Sequence, residues 1–166
     1  MDEIINIVNE KNEIIRQDSL YKAHEKKLLH RSSVILLFLK DTNKVLIQRR
    51  SEDMYKLPGM LCFPGGHASI NETPKQAAKR ELAEEMFSKS SIDIDLEEMF
   101  TVRKSADDDH EFMSVFKGYF NGEFNPDENE VSEYFFEDLD KIMNDANPDK
   151  YTQTTRFILD RLKQNV

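Results

Sequence analysis

Acidic side chains with the spacing of metal ligands occur in one short segment of the chain. Glu81, Glu84 and Glu85 lie within five residues, and at roughly 100° per helical residue they share an arc of about 100°. Each like-charged pair three or four residues apart costs a helix about 0.2–0.5 kcal/mol. A hard cation such as Mg²⁺, which takes carboxylate oxygens together with water and substrate phosphate, would offset this repulsion.

The residues before these glutamates favour a bound cation over a solvated acidic face, which would explain an isolated Glu-Glu pair. Gly65 and Gly66 form the only Gly-Gly pair in the chain, and glycine lets a backbone carbonyl or a phosphate approach closely. Glu72 directly precedes a strong helix start. That start combines an N-cap, a proline at the first helical position and a capping box: Thr73, Pro74 and Gln76.

The segment from Gly66 to Glu85 resembles the Nudix box. A glycine, five residues, a glutamate and seven residues precede Arg-Glu-Leu-x-Glu-Glu at these positions: Gly66, Glu72, Arg80, Glu81, Leu82, Glu84 and Glu85. The resemblance implies that the three helical glutamates and the carbonyl of Gly66 bind Mg²⁺, with Mn²⁺ as the alternative. It also implies that Glu72 and Arg80 pair and hold the loop against the helix. All five charged residues of the box are expected to serve catalysis: Glu72, Arg80, Glu81, Glu84 and Glu85. The implied activity is hydrolysis of a diphosphate linkage in a nucleoside diphosphate derivative or a related organic diphosphate.

The chain departs from the box pattern where the helix should end. Phe87 stands where the family has glycine, and Ser88 stands where it has an apolar residue. Glycine commonly ends a helix in the left-handed conformation. Its loss predicts that the helix runs further, to about residues 90–91, or ends differently.

The outer segments are similar to the Nudix branch that includes isopentenyl-diphosphate isomerase. This resemblance places five residues near the ligands of the isomerase's additional metal site: His24, His30, His67, Asp109 and Glu111. It places the isomerase's essential cysteine at about Gly65, three residues after Cys62. The missing cysteine and the retained pairs Arg80-Glu81 and Glu84-Glu85 favour hydrolysis over isomerisation. A Nudix fold kept as a non-catalytic ligand-binding module is the third hypothesis, disfavoured because such modules commonly lose the box acids.

Several of these residues also have simpler interpretations. His24 suits the surface of a helix, and His30 suits a helix end, where the helix dipole favours a histidine. His67, by contrast, is predicted to contact substrate or metal. Arg49 and Arg50 alternate on a strand, so one is expected to hold a phosphate bidentately and the other to be solvated or ion-paired. Residues 107–109 are interpreted as a solvated acidic loop. The general base stays open among an acid of that loop and five glutamates: Glu81, Glu84, Glu111, Glu128 and Glu130.

Composition predicts a globular protein that acts on a small molecule. The 166 residues are 39% hydrophobic and 33% charged, which suits one domain, residues 1–166, with a sizeable core. The net charge of −9 disfavours nucleic-acid binding and requires bound cations if the substrate is an anionic diphosphate. No apolar run reaches the ~20 residues of a membrane helix, no secretion signal is visible, and Cys62 is the only cysteine. We therefore expect a cytoplasmic monomer or homodimer with no membrane association.

The elements that must position these residues are strands mixed with helices, a Nudix-type α/β (α+β) sandwich with an N-terminal β-hairpin. The patterns predict a hairpin at residues 3–9 and 13–16, a helix at 19–29, and strands at 33–40, 44–50, 92–94, 99–103, 112–119 and 131–136. Further helices are predicted from Thr73 onward, at 138–144 and at 152–163. Along the first of these, one apolar stripe faces the sheet: Ala78, Leu82 and Met86.

Overall fold

The computed structural model describes residues 3–90, 92–106 and 109–164, in which groups of consecutive strands are separated by helices. The strands are β1 (Ile4–Val8), β2 (Ile14–Ser19), β3 (His30–Leu39), β4 (Lys44–Arg50), β5 (Leu61–Cys62), β6 (Gly65–His67), β7 (Glu97–Ala106), β8 (Asp109–Phe120) and β9 (Val131–Asp138). The helices are α1 (Leu20–Glu25), α2 (Pro74–Phe87), α3 (Leu139–Met143) and α4 (Gln153–Lys163), with a 3₁₀ turn at Pro148–Lys150.

The chain divides into two compact units that are discontinuous in sequence. The first comprises Met1–Ile35, Gly65–Glu81 and Leu96–Lys117, and the second comprises Leu36–Pro64, Leu82–Asp95 and Gly118–Val166. β3 and α2 contribute residues to both units. The assignment of residues 1–166 to one domain stays a prediction.

The first unit contains the predicted N-terminal hairpin. β1 pairs antiparallel with β2 and also with β3. β6 pairs antiparallel with β3, so that His67 lies opposite Ser32 and Gly66 lies opposite Ser33. β8 has two neighbouring strands, β3 and β7, as expected for a central strand. The glycine pair and Glu111 are thus held on hydrogen-bonded strands.

The second unit is organised around β4. This strand pairs antiparallel with β3, β5 and β9, and Leu61 of β5 makes an isolated parallel bridge with Tyr151. The predicted final helices are present, with Asp138 and Thr152 as their N-caps. The predicted class, a mixed sheet with flanking helices, is confirmed. None of the described helices has the length and apolar composition of a membrane span.

Several predicted elements have other bounds in the structure; β7 and β8, for example, both begin earlier than predicted. Residues 92–94 form no strand. Ile94 is nevertheless buried, so its apolar side chain packs in the core although its backbone pairs with no strand. β3 begins at His30, three residues before the predicted start. Helix α1 ends at Glu25 instead of residue 29, because Lys27 adopts a left-handed φ of 52° that an α-helix does not continue.

Candidate active site and histidine cluster

The start of α2 is fixed by the capping box that the sequence predicts. The Thr73 amide donates to Oε1 of Gln76 at 2.9 Å, and the Gln76 amide donates to Oγ1 of Thr73 at 3.3 Å. The hydroxyl of Ser33 donates to the carbonyl of Pro74 at 2.8 Å. Ala78, Leu82 and Met86 are fully buried, so the predicted packing stripe is confirmed and the direction of the glutamate arc is set.

Arg80 holds the loop before α2 against the helix. Its Nε and Nη2 atoms bind the two carboxylate oxygens of Glu72 at 2.7 and 2.9 Å, a bidentate pair of the stronger kind. The hydrogen bond from Arg80 lowers the pKa of Glu72 and, with the other interactions of this carboxylate, outweighs desolvation. Arg80 also donates to Oε1 of Glu81 at 2.8 Å and to the backbone carbonyl of His67 at 2.9 Å.

Gly66 lies directly against the carboxylate of Glu81. A Cβ atom added to Gly66 would stand 2.4 Å from both Cδ and Oε1 of Glu81, closer than any real side chain packs. A side chain at residue 66 would therefore have to displace the carboxylate that Arg80 holds. The backbone of the loop and the first helical glutamate occupy one small volume, as expected of two groups that share a cation.

Glu84 and Glu85 continue the same arc, one turn further along α2. Glu85 is 5% exposed and Glu84 is half-buried. The backbone carbonyl of Glu85 accepts a hydrogen bond from the amide of Asp127 at 3.0 Å, and that of Met86 accepts one from Asn125 at 3.0 Å. Residues 121–130 are thereby tied to the end of the helix.

The end of α2 differs from the glycine-capped end of the box pattern. The helix stops at Phe87 instead of continuing to residues 90–91. Ser88 and Lys89 take left-handed φ values of 46° and 64°, and the Lys89 amide donates to the carbonyl of Ala83 at 2.9 Å. Two non-glycine residues thus end the helix just after the position at which the family has glycine.

Glu130, a glutamate of the second unit, has a raised pKa. Burial raises its pKa most, followed by the negative charges of Asp127 and Glu84. A carboxyl that holds its proton more tightly than usual is a better proton acceptor at neutral pH. Among the general-base candidates, Glu130 therefore has an environment suited to that role, whereas Glu111 is committed to a different cluster.

Three histidines from separate segments of the first unit converge. The ring centroids of His24, His30 and His67 are 5.1–5.2 Å apart, and their candidate ligand nitrogens all lie within 4.8 Å of one another. Oε1 of Glu111 is 3.3 Å from Nε2 of His67 and 3.6 Å from Nε2 of His30. The simpler interpretation of His30 as a helix-end residue is wrong, because it begins β3 and is 1% exposed.

The contacts around the histidine cluster orient its members inward. Nδ1 of His30 is 2.8 Å from the carbonyl of Leu28 and donates to it. Nε2 of His30 is buried and has no hydrogen-bond partner among the described residues. Ser32 donates to Oε2 of Glu111 at 2.7 Å. Burial opposes ionisation of Glu111, but the imidazoles of His30 and His67 outweigh it and hold its pKa well below the usual value.

This donor set suits a transition-metal ion. Imidazole nitrogens with one carboxylate are common ligands of such ions, and a backbone hydrogen bond to the far nitrogen of a ligating histidine is the usual supporting contact. Sequence reasoning associated these residues only through a resemblance, since they are far apart in the chain. The side chain of Asp109, the fifth candidate ligand, and residues 107–108 of the predicted acidic loop lie outside the described residues.

Both candidate phosphate-binding arginines contact the loop at residues 51–60 in the second unit. Arg49 donates to Oε2 of Glu133 at 2.9 Å and to the carbonyl of Gly59 at 3.0 Å. Arg50 donates to the carbonyl of Lys56 at 3.1 Å. The expected ion-paired arginine is therefore Arg49.

Neither Cys62 nor Gly65 provides a reactive thiol. Cys62 is 7% exposed, and burial, together with the nearby charge of Glu85, raises its pKa to about 12, so it stays protonated. At Gly65 an added Cβ would stand 2.2 Å from the backbone oxygen of Ser33. A cysteine cannot be accommodated at Gly65 without moving β3.

Comparison with known proteins identifies the class to which this fold and site belong. A model of the NUDIX domain family matches residues 29–158, and the chain belongs to that family.

Its relatives include both isomerases and hydrolases. The chain is 30% identical to "Isopentenyl-diphosphate Delta-isomerase 2" of Photorhabdus laumondii over 173 residues, covering 98% of this chain and 93% of the relative. It is 39% identical over 85 residues to "Uncharacterized Nudix hydrolase YfcD" of Salmonella typhi, covering 51% of this chain and 46% of the relative. The crystal structure of DR0079 from Deinococcus radiodurans superposes with a TM-score of 0.80 at 19% identity, covering 96% of this chain and 98% of that one.

Proposed function

We propose that this protein is a divalent-cation-dependent hydrolase that cleaves a diphosphate linkage in a nucleoside diphosphate derivative or a related organic diphosphate. The preferred cation is Mg²⁺, with Mn²⁺ as the alternative, because all the ligands offered by the box are oxygen atoms. The small-molecule substrate distinguishes this proposal from a role in nucleic-acid binding, which the net charge of −9 opposes.

The observation that supports this function most directly is the contact between Gly66 and Glu81. A structural acidic face has no need for a glycine whose missing side chain makes room for a carboxylate. The same carboxylate is held by Arg80, which also grips Glu72. The loop, the arginine and the first glutamate therefore form one rigid assembly. Such rigidity is what a site needs when positioning and charge neutralisation supply most of the rate of phosphoryl transfer.

The residues of the proposed site have separate tasks. Glu81, Glu84, Glu85 and the carbonyl of Gly66 would hold the cation, which when bound supplies the positive charge that neutralises the diphosphate. Glu72 and Arg80 position the loop and do not contact the substrate. Glu130 accepts the proton from the attacking water, since its environment raises its pKa. Arg50 and His67 remain the proposed substrate contacts, whereas Arg49 is the ion-paired partner of Glu133.

The decisive experiment compares two glutamate-to-glutamine variants. Glu85→Gln keeps the size of a buried side chain and removes its charge, so Mg²⁺-dependent phosphate release should fall at least about a hundredfold while the fold is retained. Glu97→Gln, which changes an exposed glutamate on β7, should leave turnover unchanged. Both are assayed on a panel of nucleoside diphosphates, triphosphates, dinucleotides and CoA. Unchanged turnover of Glu85→Gln on a substrate that wild type hydrolyses would overturn the metal assignment.

A second candidate function, isomerisation of an allylic diphosphate, is favoured by the histidine cluster and by the long match to isomerases. It is opposed by the buried, protonated Cys62 and by the absence of space at Gly65. Incubation with isopentenyl diphosphate in D₂O distinguishes the two activities. We expect no deuterium in recovered substrate or product, and clear incorporation would establish the isomerase instead.

We propose that the protein acts in the cytoplasm. The support is its single cysteine, which excludes an internal disulfide and suits a reducing compartment. Fractionation of cells that express a tagged full-length chain tests the location.

A third possible function, that of a binding module without catalysis, is opposed by the complete set of box acids.

A further inference from the structure

The outer edge of β2 plays no part in the proposed chemistry. Among the described strands, β2 pairs only with β1. The side chains from Ile14 to Gln17 are all exposed, and since successive side chains point to opposite faces, both faces of this strand reach solvent. The unpaired amide and carbonyl groups of such an edge can pair with another chain.

Exposed apolar side chains are frequent in the N-terminal segment that contains β2. Nine large hydrophobic side chains are exposed among the described residues, and four of them lie within residues 4–21: Ile4, Ile14, Ile15 and Tyr21. Proteins usually protect an edge strand with charged residues, especially lysine, with proline or with a bulge. β2, with the sequence Ile-Ile-Arg-Gln-Asp-Ser, contains no lysine or proline, but it carries two charges and its register against β1 shifts between Ile7 and Val8. The charges of Arg16 and Asp18 therefore restrict which strands can pair with this edge, and its exposed isoleucines would gain from being covered.

The ladder between β1 and β2 determines which backbone groups face outward. The Asn9 amide points toward the β2 side and donates to the carbonyl of Glu13 at 2.9 Å. The Val8 amide points the opposite way, toward β3, and donates to the carbonyl of Leu29 at 2.8 Å. Because these directions alternate along an antiparallel pair, Ile5 and Ile7 direct their backbone groups to β2. Their register partners are Asp18 and Arg16.

It follows that the backbone N–H and C=O of the residue between these partners, Gln17, point toward the open edge. A second extended strand beside β2 would meet these groups first. Arg16 and Asp18 flank them on either side, and in the single chain Nη1 of Arg16 lies 2.5 Å from Oδ2 of Asp18. The edge thus carries a hydrogen-bonding residue between two opposite charges.

We propose that β2 pairs antiparallel with β2 of a second copy of this chain, with the two-fold axis at Gln17. In this register the two Gln17 residues exchange backbone hydrogen bonds. Arg16 of each copy lies opposite Asp18 of the other, so two-fold symmetry produces two opposite-charge pairs. The sequence of the edge is therefore complementary to itself in charge, and the partner that fits it is another copy.

The register is tested by exchanging the two charges and measuring mass by sedimentation velocity, from about 1 µM to about 500 µM protein. Wild type should change from monomer to dimer over this range. Arg16→Asp and Asp18→Arg should each weaken association about tenfold, because each places like charges opposite each other. The double variant R16D/D18R should restore the wild-type association to within about threefold.

Net charge alone predicts a different pattern. R16D makes the chain more negative and D18R makes it less negative, so a purely global effect would weaken one variant and strengthen the other. Gln17→Pro provides a second test, since it removes the outward N–H and leaves the inward ladder intact. Gln17→Thr, which keeps the N–H, is its control. Circular dichroism verifies that each variant is folded. If a charge variant unfolds, the comparison of Gln17→Pro with Gln17→Thr tests the proposal in its place.

A monomeric wild type across the whole concentration range would overturn the proposal. So would a dimer whose association is unaffected by both single charge reversals and by Gln17→Pro. The measurement is independent of the proposed hydrolysis, because none of the three residues lies in the candidate site. A failure of one proposal therefore leaves the other intact.

Discussion

Replacing Gly66 with alanine should report directly on the carboxylate of Glu81. The new Cβ would stand 2.4 Å from both Cδ and Oε1 of Glu81, about 1 Å closer than ordinary contact. The carboxylate cannot swing aside freely, because Arg80 holds its Oε1 at 2.8 Å. We expect Gly66→Ala to destabilise the fold by about 1–3 kcal/mol, the usual range for overpacking.

The cause of that loss is identified by a double-mutant cycle. Glu81→Ala removes Cδ and both oxygens, which are the three nearest atoms to the added Cβ. In the Glu81→Ala background, Gly66→Ala should therefore cost close to zero. The coupling energy should equal most of the single-variant cost, well above the ~0.5 kcal/mol within which independent substitutions add. Urea unfolding of the four proteins provides the four free energies of unfolding.

Activity adds a second readout to the same variant. A displaced Glu81 should weaken Mg²⁺-dependent turnover about 10- to 100-fold, the usual effect of disturbing the supporting shell of a metal site. Ile158→Val is the control, since it removes a buried methyl group from α4 at a cost of about 0.5–1.5 kcal/mol. It should lose stability and keep its turnover. Additive free energies in the cycle, or an equal loss of activity in the control, would refute the assigned role of Gly66.

Three further predictions concern the helix end, acid stability and the histidine cluster. Lys89→Gly should raise the free energy of unfolding by about 0.5–1 kcal/mol, because φ is 64° at this residue; Ser90→Gly, without a positive φ, should not. The pKa of Glu72 is lowered in the folded state from 4.5, so its ionised form stabilises the fold above pH 4.5 and that contribution is lost as pH falls. Wild type and Glu72→Gln should then converge in stability in acid, and a constant difference down to about pH 3 would contradict the pairing. His30→Ala should abolish the visible spectrum of bound Co²⁺, whereas His110→Ala should keep it. Equal spectra in the two variants would show that the histidine cluster does not bind the metal.

Local features of the site could be predicted from the sequence because local chemistry determines them. The start of α2 depends on the capping box of Thr73 and Gln76, whose hydrogen bonds involve residues three apart. The buried stripe of α2 depends on helical periodicity alone. In both cases the determinants lie within one or two turns, so the prediction needed no tertiary information.

The histidine cluster required tertiary information. His67 is brought near Glu111 by strand pairing, and Ser32, opposite His67 in that ladder, donates to the Glu111 carboxylate. His30 reads as a helix end in sequence because its true element, β3, starts three residues earlier than the apolar run suggests. Register between distant strands is not encoded in any short window. The family resemblance was therefore the only sequence signal that associated these residues.

The end of α2 shows a different limit. Because Phe87 stands where the family has glycine, the sequence indicated an unusual helix end. It did not indicate which backbone conformation the chain adopts there. Left-handed conformations of serine and lysine are disfavoured by propensity. They occur here with the hydrogen bonds that the 121–130 loop makes to Glu85 and Met86, and those partners are some forty residues away.

The backbone and the side chain of His67 belong to different neighbourhoods. Its carbonyl accepts from Arg80, which grips Glu72 and Glu81, while its ring faces His24, His30 and Glu111. A rotation about the bonds of this one residue would disturb both sets of contacts together. Grafting the histidines onto a scaffold outside this family therefore requires transferring Arg80 and its glutamate partners as well.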